Sequence, residues 1–205
     1  MSDVLMDMRG QEIFSAHWTE DIDDEFLRNM QHVFGISEKK SLARLNAMKR
    51  RCPEWNVPMS SLDFKNVPDE VDPKDRHVAA AALALRASAD EDREAAEPRS
   101  SCDVYLVTDN IKDMAKKQMS ALGVKVITSG AFLSRVHRSE PGKSEQALLQ
   151  AVSDLKHPPY TREELLGALQ VPGARTMVAQ LAKKWYVTPV KKVVAKRRAR
   201  ASGSR

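Results

Sequence analysis

Apolar residues recur three and four positions apart along most of this chain, which is the spacing of amphipathic helices. "SDVLMDMRGQEIF" puts Val4, Leu5, Met8 and Ile13 on roughly one face and predicts a short helix. "HWTEDIDDEFLRNMQHVFG" predicts a longer one, with Thr19 as its cap, acids in the first turn and Gly35 as its stop. Its apolar stripe is Ile22, Phe26, Met30 and Val33. "SEKKSLARLNAMKRRCP" predicts a third helix, opened by Ser37 and closed before Pro53. An irregular segment holding Pro53, Pro58, Pro68 and Pro73 follows, with a short strand expected around Leu62 to Phe64. "DPKDRHVAAAALALRAS" has the clearest helix start, with Asp72 able to cap and Pro73 at the favoured first position. The charged "ADEDREAAEPRSS" reads as an exposed insertion or an extension of that helix.

Two short apolar runs break the helical spacing. "DVYLVT" and "VKVIT" read as buried strands, separated by "NIKDMAKKQMSALG", a predicted helix ending at Gly123. Strand, helix and strand at this spacing imply a right-handed crossover and a parallel sheet. "SGAFLSRVHR" opens another helix. From "EPGK" onward only helical patterns remain: "SEQALLQAVSDL", "TREELLGALQ" and "ARTMVAQLAKKW", separated by the breakers "KHPPY" and "VPG". The expected division is an α/β part over 1–139, a helical appendage over 140–188 and a basic tail over 189–205.

Composition narrows the class. At 205 residues the chain can bury a real core, and with 5% aromatics that core should be aliphatic. Cys52 and Cys102 are the two cysteines, too few for a disulfide framework and without the partners of a zinc site. The start "MSDVLMDMRG" lacks the apolar run of a signal peptide, and no stretch approaches the roughly 20 apolar residues of a membrane span. A soluble cytoplasmic protein is the expectation. The net charge of +5 is concentrated at the end, in Lys191, Lys192, Lys196, Arg197, Arg198, Arg200 and Arg205. Such a tail fits a polyanion such as RNA, or serves only as a solubilising end.

The stretch "CDVYLVTDNIKDM" then asks why a buried strand should end in so many polar groups. In open parallel sheets, ligands sit beyond the carboxyl ends of the strands. Thr108, Asp109, Asn110 and Asp113 lie at that edge, Asp75 lies at the start of the Ala-rich helix, and Glu25 lies on the second helix. If they converge, they form an oxygen-only donor set, which suits hard cations such as Mg²⁺ or Mn²⁺. Taken singly, each has a plainer role. Asp75 and Asp113 would favour a helix dipole, Asp109 would cap a helix, and Glu25 is one of several acids in a first turn. His77 reads as a packed helix residue before it reads as a base.

"WTEDIDDEFLRN", "DPKDRHVAAAAL" and "DVYLVTDNIKDM" together resemble the PIN-domain proteins, and within them the toxin components of VapC-type toxin–antitoxin systems. The likeness spans about Asp3 to Arg138. It implies a PIN-like three-layer α/β fold with a central parallel sheet, and the activity of a metal-dependent endoribonuclease using Mg²⁺ or Mn²⁺. It implies that Glu25, Asp75 and Asp113 are the acidic metal-site residues, supported by Thr108 and Asn110. Asp109 falls on a variable position and is a candidate additional ligand; Met114 stands where the family often has Phe. The implied partners are an RNA substrate and a cognate antitoxin protein, with a homodimer left open.

The chain departs from that pattern in one respect. The family opens with a short apolar strand ending in an Asp, whereas this sequence begins at or inside the first helix, where Asp3 and Asp7 lie. The first strand and its Asp are therefore expected to be missing. The start lies upstream, another chain supplies the piece, or the protein is an inactive copy. Two functions follow: a ribonuclease whose positive charge for RNA comes from the tail and the pairs 39–40, 50–51 and 116–117, or a non-catalytic module binding RNA or an antitoxin. An unrelated phosphatase is disfavoured, because no Gly-rich phosphate loop is present.

Overall fold

A computed structural model of the chain describes residues 2–59, 64–95, 103–154 and 160–190. Most of the predicted strand at Leu62 to Phe64, Cys102, and the basic tail with Lys191, Lys192, Lys196, Arg197, Arg198 and Arg200 lie outside the described residues.

The chain opens with α1 (Ser2–Gly10), α2 (Glu20–His32) and α3 (Glu38–Arg51). Thr19 caps α2 as expected, its hydroxyl accepting from the Ile22 N–H. A single turn of 3₁₀ helix (Pro73–Asp75) leads into α4 (Arg76–Ala95), with the Asp72 carboxylate accepting from the Lys74 N–H. Then come β1 (Val104–Val107), a 3₁₀ turn (Ile111–Asp113), α5 (Lys116–Ala121) and β2 (Val124–Ile127). The C-terminal helices are α6 (Ser129–Ser139), α7 (Pro141–Asp154), α8 (Arg162–Ala168) and α9 (Arg175–Trp185). A reciprocal capping box between Thr161 and Glu164 starts α8.

β1 and β2 pair in parallel, with Val104 opposite Val124 and Val107 opposite Ile127. Among the described residues this is a two-stranded sheet, so the architecture is mixed α/β and mainly helical. The link between the strands is not the continuous helix that its pattern suggests. Met114 makes an isolated antiparallel bridge to Val71, and Ala115 turns through a left-handed conformation at φ 42° before α5 begins. That strand-like contact holds the first turn of the expected helix in a separate 3₁₀ turn.

The sheet divides two apolar clusters. Val104, Leu106, Val124 and Val126 face one, with Ala79, Ala80 and Ala82 of α4 and Met119 of α5. Tyr105 and Ile127 face the other, a larger helical cluster. That cluster joins Phe132, Leu133 and Val136 of α6 to Leu148 of α7, Leu165 and Leu166 of α8, and Val178 and Leu181 of α9. Val4 and Met8 of α1 also belong to it, seated against α7. A boundary at Glu140 would run through this cluster, because α6 packs with the helices that follow it. Gly130 and Gly173 let α6 meet the turn before α9. A Cβ on Gly130 would stand 2.4 Å from the Pro172 carbonyl oxygen, and one on Gly173 (φ +90°) would stand 2.6 Å from the Ala131 nitrogen.

The N-terminal helices use their polar residues structurally. Asp7 is buried on α1 and pairs with Arg51 at 2.5 Å. Buried Asp23 accepts from the Trp18 indole at 2.7 Å and pairs with Lys49 at 2.5 Å, and Lys49 also covers the Trp55 ring. Cys52 is buried and free, and burial pushes its thiol up. It packs as a small hydrophobe and is a poor nucleophile. No helix among the described residues is long and apolar enough to cross a membrane.

Candidate functional site

Two turns that lie far apart in sequence meet beyond the carboxyl end of β1. The bridge between Val71 and Met114, with the Asp72 N–H donating to the Asp113 carbonyl at 2.9 Å, draws them together. One is the 3₁₀ turn carrying Lys74 and Asp75; the other carries Asp113. Asn110 sits between them. Its side-chain amide donates to Asp75 Oδ2 at 2.9 Å and to Asp113 Oδ2 at 2.8 Å. The Asn110 backbone is set by Thr108, whose hydroxyl accepts from the Asn110 N–H at 3.1 Å. One amide thus holds two carboxylates from turns 38 residues apart.

The electrostatics of the two acids differ. Burial raises the Asp75 pKa first; Lys74 opposes this, and the negative charges of Asp72, Asp113 and Glu25 add to it. Asp113 is held below the usual carboxylate range, chiefly by the Asn110 hydrogen bond and then by Lys74. Lys74 Nζ lies 3.4 Å from Asp113 Oδ2 and 3.8 Å from Asp72 Oδ2, and these acids push its own pKa up. Glu25 reaches the same end from α2, near enough for its charge to act on Asp75. Its carboxylate lies 3.6 Å from His77 Nε2, beyond hydrogen-bond distance. His77 is a largely covered α4 residue whose Nε2 has no hydrogen-bond partner.

Asp109 takes a different partner. Its carboxylate accepts from the Ser129 N–H at 3.1 Å and the Ser129 hydroxyl at 2.9 Å, which ties the end of β1 to the start of α6. Sequence reasoning assigned no part to Lys74 and gave Asp72 only that of a helix cap. The signal was present in "DPKD", since a lysine beside a clustered aspartate is positioned to neutralise it. Of the basic pairs, Arg51 is engaged with Asp7.

The donor set is chemically suited to a hard divalent cation, since its side chains offer oxygen. Its geometry falls short. Among the described residues, no three His, Cys, Asp or Glu side chains gather closely enough to hold one ion. One Asn110 amide already occupies an oxygen of both Asp75 and Asp113, and the Glu25 carboxylate lies 3.6 Å from His77 Nε2.

Comparison with known proteins places a match on the other half of the chain. A family model described as the VapC50 C-terminal domain matches residues 130–183, which are 54 of the 205. The matched span runs from the start of α6 through most of α9, the helices of the larger cluster. No curated protein and no solved structure matches the chain. The helical C-terminal part of this chain is therefore similar to the C-terminal domain of a VapC-type toxin.

Proposed function

We propose that the protein is the toxin component of a toxin–antitoxin pair and acts as a PIN-type endoribonuclease. Asp75, Asp113 and Glu25 are its acidic residues, and Asn110 is the residue that positions two of them. The bridging of Asp75 and Asp113 by one Asn110 amide at the carboxyl end of β1 carries this reading. The family-model match over the C-terminal helices supports the toxin part of it. The cognate partner would be an antitoxin protein, and the substrate a single-stranded or structured RNA approached through basic residues outside the acidic end. Mg²⁺ or Mn²⁺ is the cation the donor set favours, but the carboxylates as they stand need further ligands to hold one.

That shortfall favours a second reading, a non-catalytic member that binds RNA or an antitoxin without cleaving. The two separate in one set of measurements. The ribonuclease predicts cleavage of RNA in Mn²⁺ or Mg²⁺, stopped by a chelator, and reduced at least about 100-fold by Asp75→Asn or Asp113→Asn. Cleavage that survives the double variant ends the first reading. RNA or antitoxin binding with no cleavage, and no saturable heat on titration with Mn²⁺, establishes the second.

A further inference from the structure

The last helix stops on a tyrosine where glycine is the usual residue. The Tyr186 N–H donates to the Lys183 carbonyl at 3.4 Å, and the Val187 N–H donates to the Ala182 carbonyl at 3.0 Å. These are the paired bonds of a Schellman stop, which needs one left-handed residue. Tyr186 takes that conformation at φ 56°, as Gly123 does after α5 at φ 81°. A bulky side chain is strained there, and glycine is not. The fold gains nothing visible in return. Val187 packs against the helical cluster and Trp185 is buried, but the Tyr186 side chain between them is 95% exposed.

The charge beside this ring has one sign. Lys183 and Lys184 are exposed in the last turn of α9, Lys184 sharing its charge with Glu145. From Lys183 to Arg205 the sequence holds nine Lys and Arg and no acid. The start of the long basic run is fixed in place. The Val190 N–H donates to the Glu163 carbonyl at 3.0 Å, and the Val190 carbonyl passes so close to Gly167 that a Cβ there would overlap it. Four residues separate Tyr186 from Val190, so even an extended chain keeps the two within about 14 Å. An exposed aromatic ring thus stands between two groups of cations, at a stop that glycine would make with less strain.

We infer that Tyr186 is a stacking platform for a base of single-stranded RNA, whose phosphates are met by Lys183 and the basic run after Val190. A single strand offers what both parts of the surface need, a free base face for the ring and a phosphate row for the cations. A duplex keeps its bases stacked on one another and offers only the phosphates. The strain at Tyr186 is then retained for binding and not for stability. The inference deepens the proposed contact with RNA and rests on that part of the reading alone; it holds whether or not the bound strand is cleaved.

The test uses the full chain, a chelator to prevent cleavage, and fluorescence anisotropy of two labelled strands of about twelve units, a length that covers one single-strand site. One is RNA without self-complementarity; the other has the same sugars and phosphates but no bases. Tyr186→Gly should weaken binding of the RNA by about tenfold or more, leave binding of the baseless strand unchanged, and leave the salt dependence of RNA binding as it was. Tyr186→Trp should bind RNA as the native chain does. The same glycine variant should unfold at the same temperature or about 2–4 °C higher, because the strain is relieved. Binding lost as stability holds or rises is an outcome that a structural cap would not give. Native-like RNA binding by Tyr186→Gly, equal losses on both strands, a lower unfolding temperature for that variant, or no RNA binding by the native chain overturns the inference. A concentration-dependent dimer abolished by Tyr186→Gly also overturns it, because a second copy would then cover the ring. Metal-dependent cleavage, measured separately on the native chain, decides the ribonuclease reading whichever way these results fall.

Discussion

The helical cluster and the sheet beside it are built from similar residues and finished to different degrees. In the cluster, Leu133, Leu148 and Leu166 are wholly buried, α8 starts with a reciprocal cap, and two glycines bring backbone onto backbone. The sheet has comparable Val and Leu side chains, yet among the described residues β1 pairs on one edge alone and Leu106 borders a cavity. A sheet of two strands cannot close its own edges, whereas a bundle can. The family-model match falls on the closed part, and the acidic residues lie on the open part.

The largest effect expected from breaking this comparison is in the cluster. Leu166→Ala should cost about 2–5 kcal/mol in urea or thermal unfolding, toward the upper end because Leu166 is wholly buried among packed helices. Leu106→Ala is chemically the same deletion at a site also buried, but it enlarges a space that already exists. Its cost should fall at the lower end, about 2 kcal/mol or less. Equal costs would show that the sheet is packed as tightly as the bundle. The smallest effect is in pH dependence. Burial first, and then the hydrogen bond from its hydroxyl to Asp103, push the Tyr105 pKa up to about 12. A group whose folded pKa lies above its unfolded value stabilises fully below the unfolded value, and that stability is lost as pH rises through the folded one. The contribution of Tyr105 should therefore fade between about pH 10 and 12. Ultraviolet titration of the phenolate should show Asp103→Asn lowering that midpoint.

Most elements were legible in the sequence because their ends carry local signals. Thr19, Thr128 and Thr161 each accept from the backbone N–H three residues on, and a cap acts the same way whatever the tertiary setting. The stretch after β1 was misread as one helix because the Val71 to Met114 bridge is a contact between distant residues, which periodicity cannot register. The same limit applies to α1. Val4 and Met8 were placed on an apolar face, but nothing local shows that the face belongs to the C-terminal helices. At the acidic end, the spacing of Thr108, Asn110 and Asp113 along one turn was readable. The turn of Asp109 toward Ser129 was not, since it depends on where α6 begins in space.

The seat of α1 against α7 has a consequence for how the protein is made. During synthesis α1 finds its apolar partner only after some 130 further residues have been added. At a synthesis rate of about 5–20 residues per second, Val4 and Met8 stay unsheltered for several seconds or longer. A nascent chain of this kind leaves that face open to chaperones, or to a binding partner, until α7 emerges.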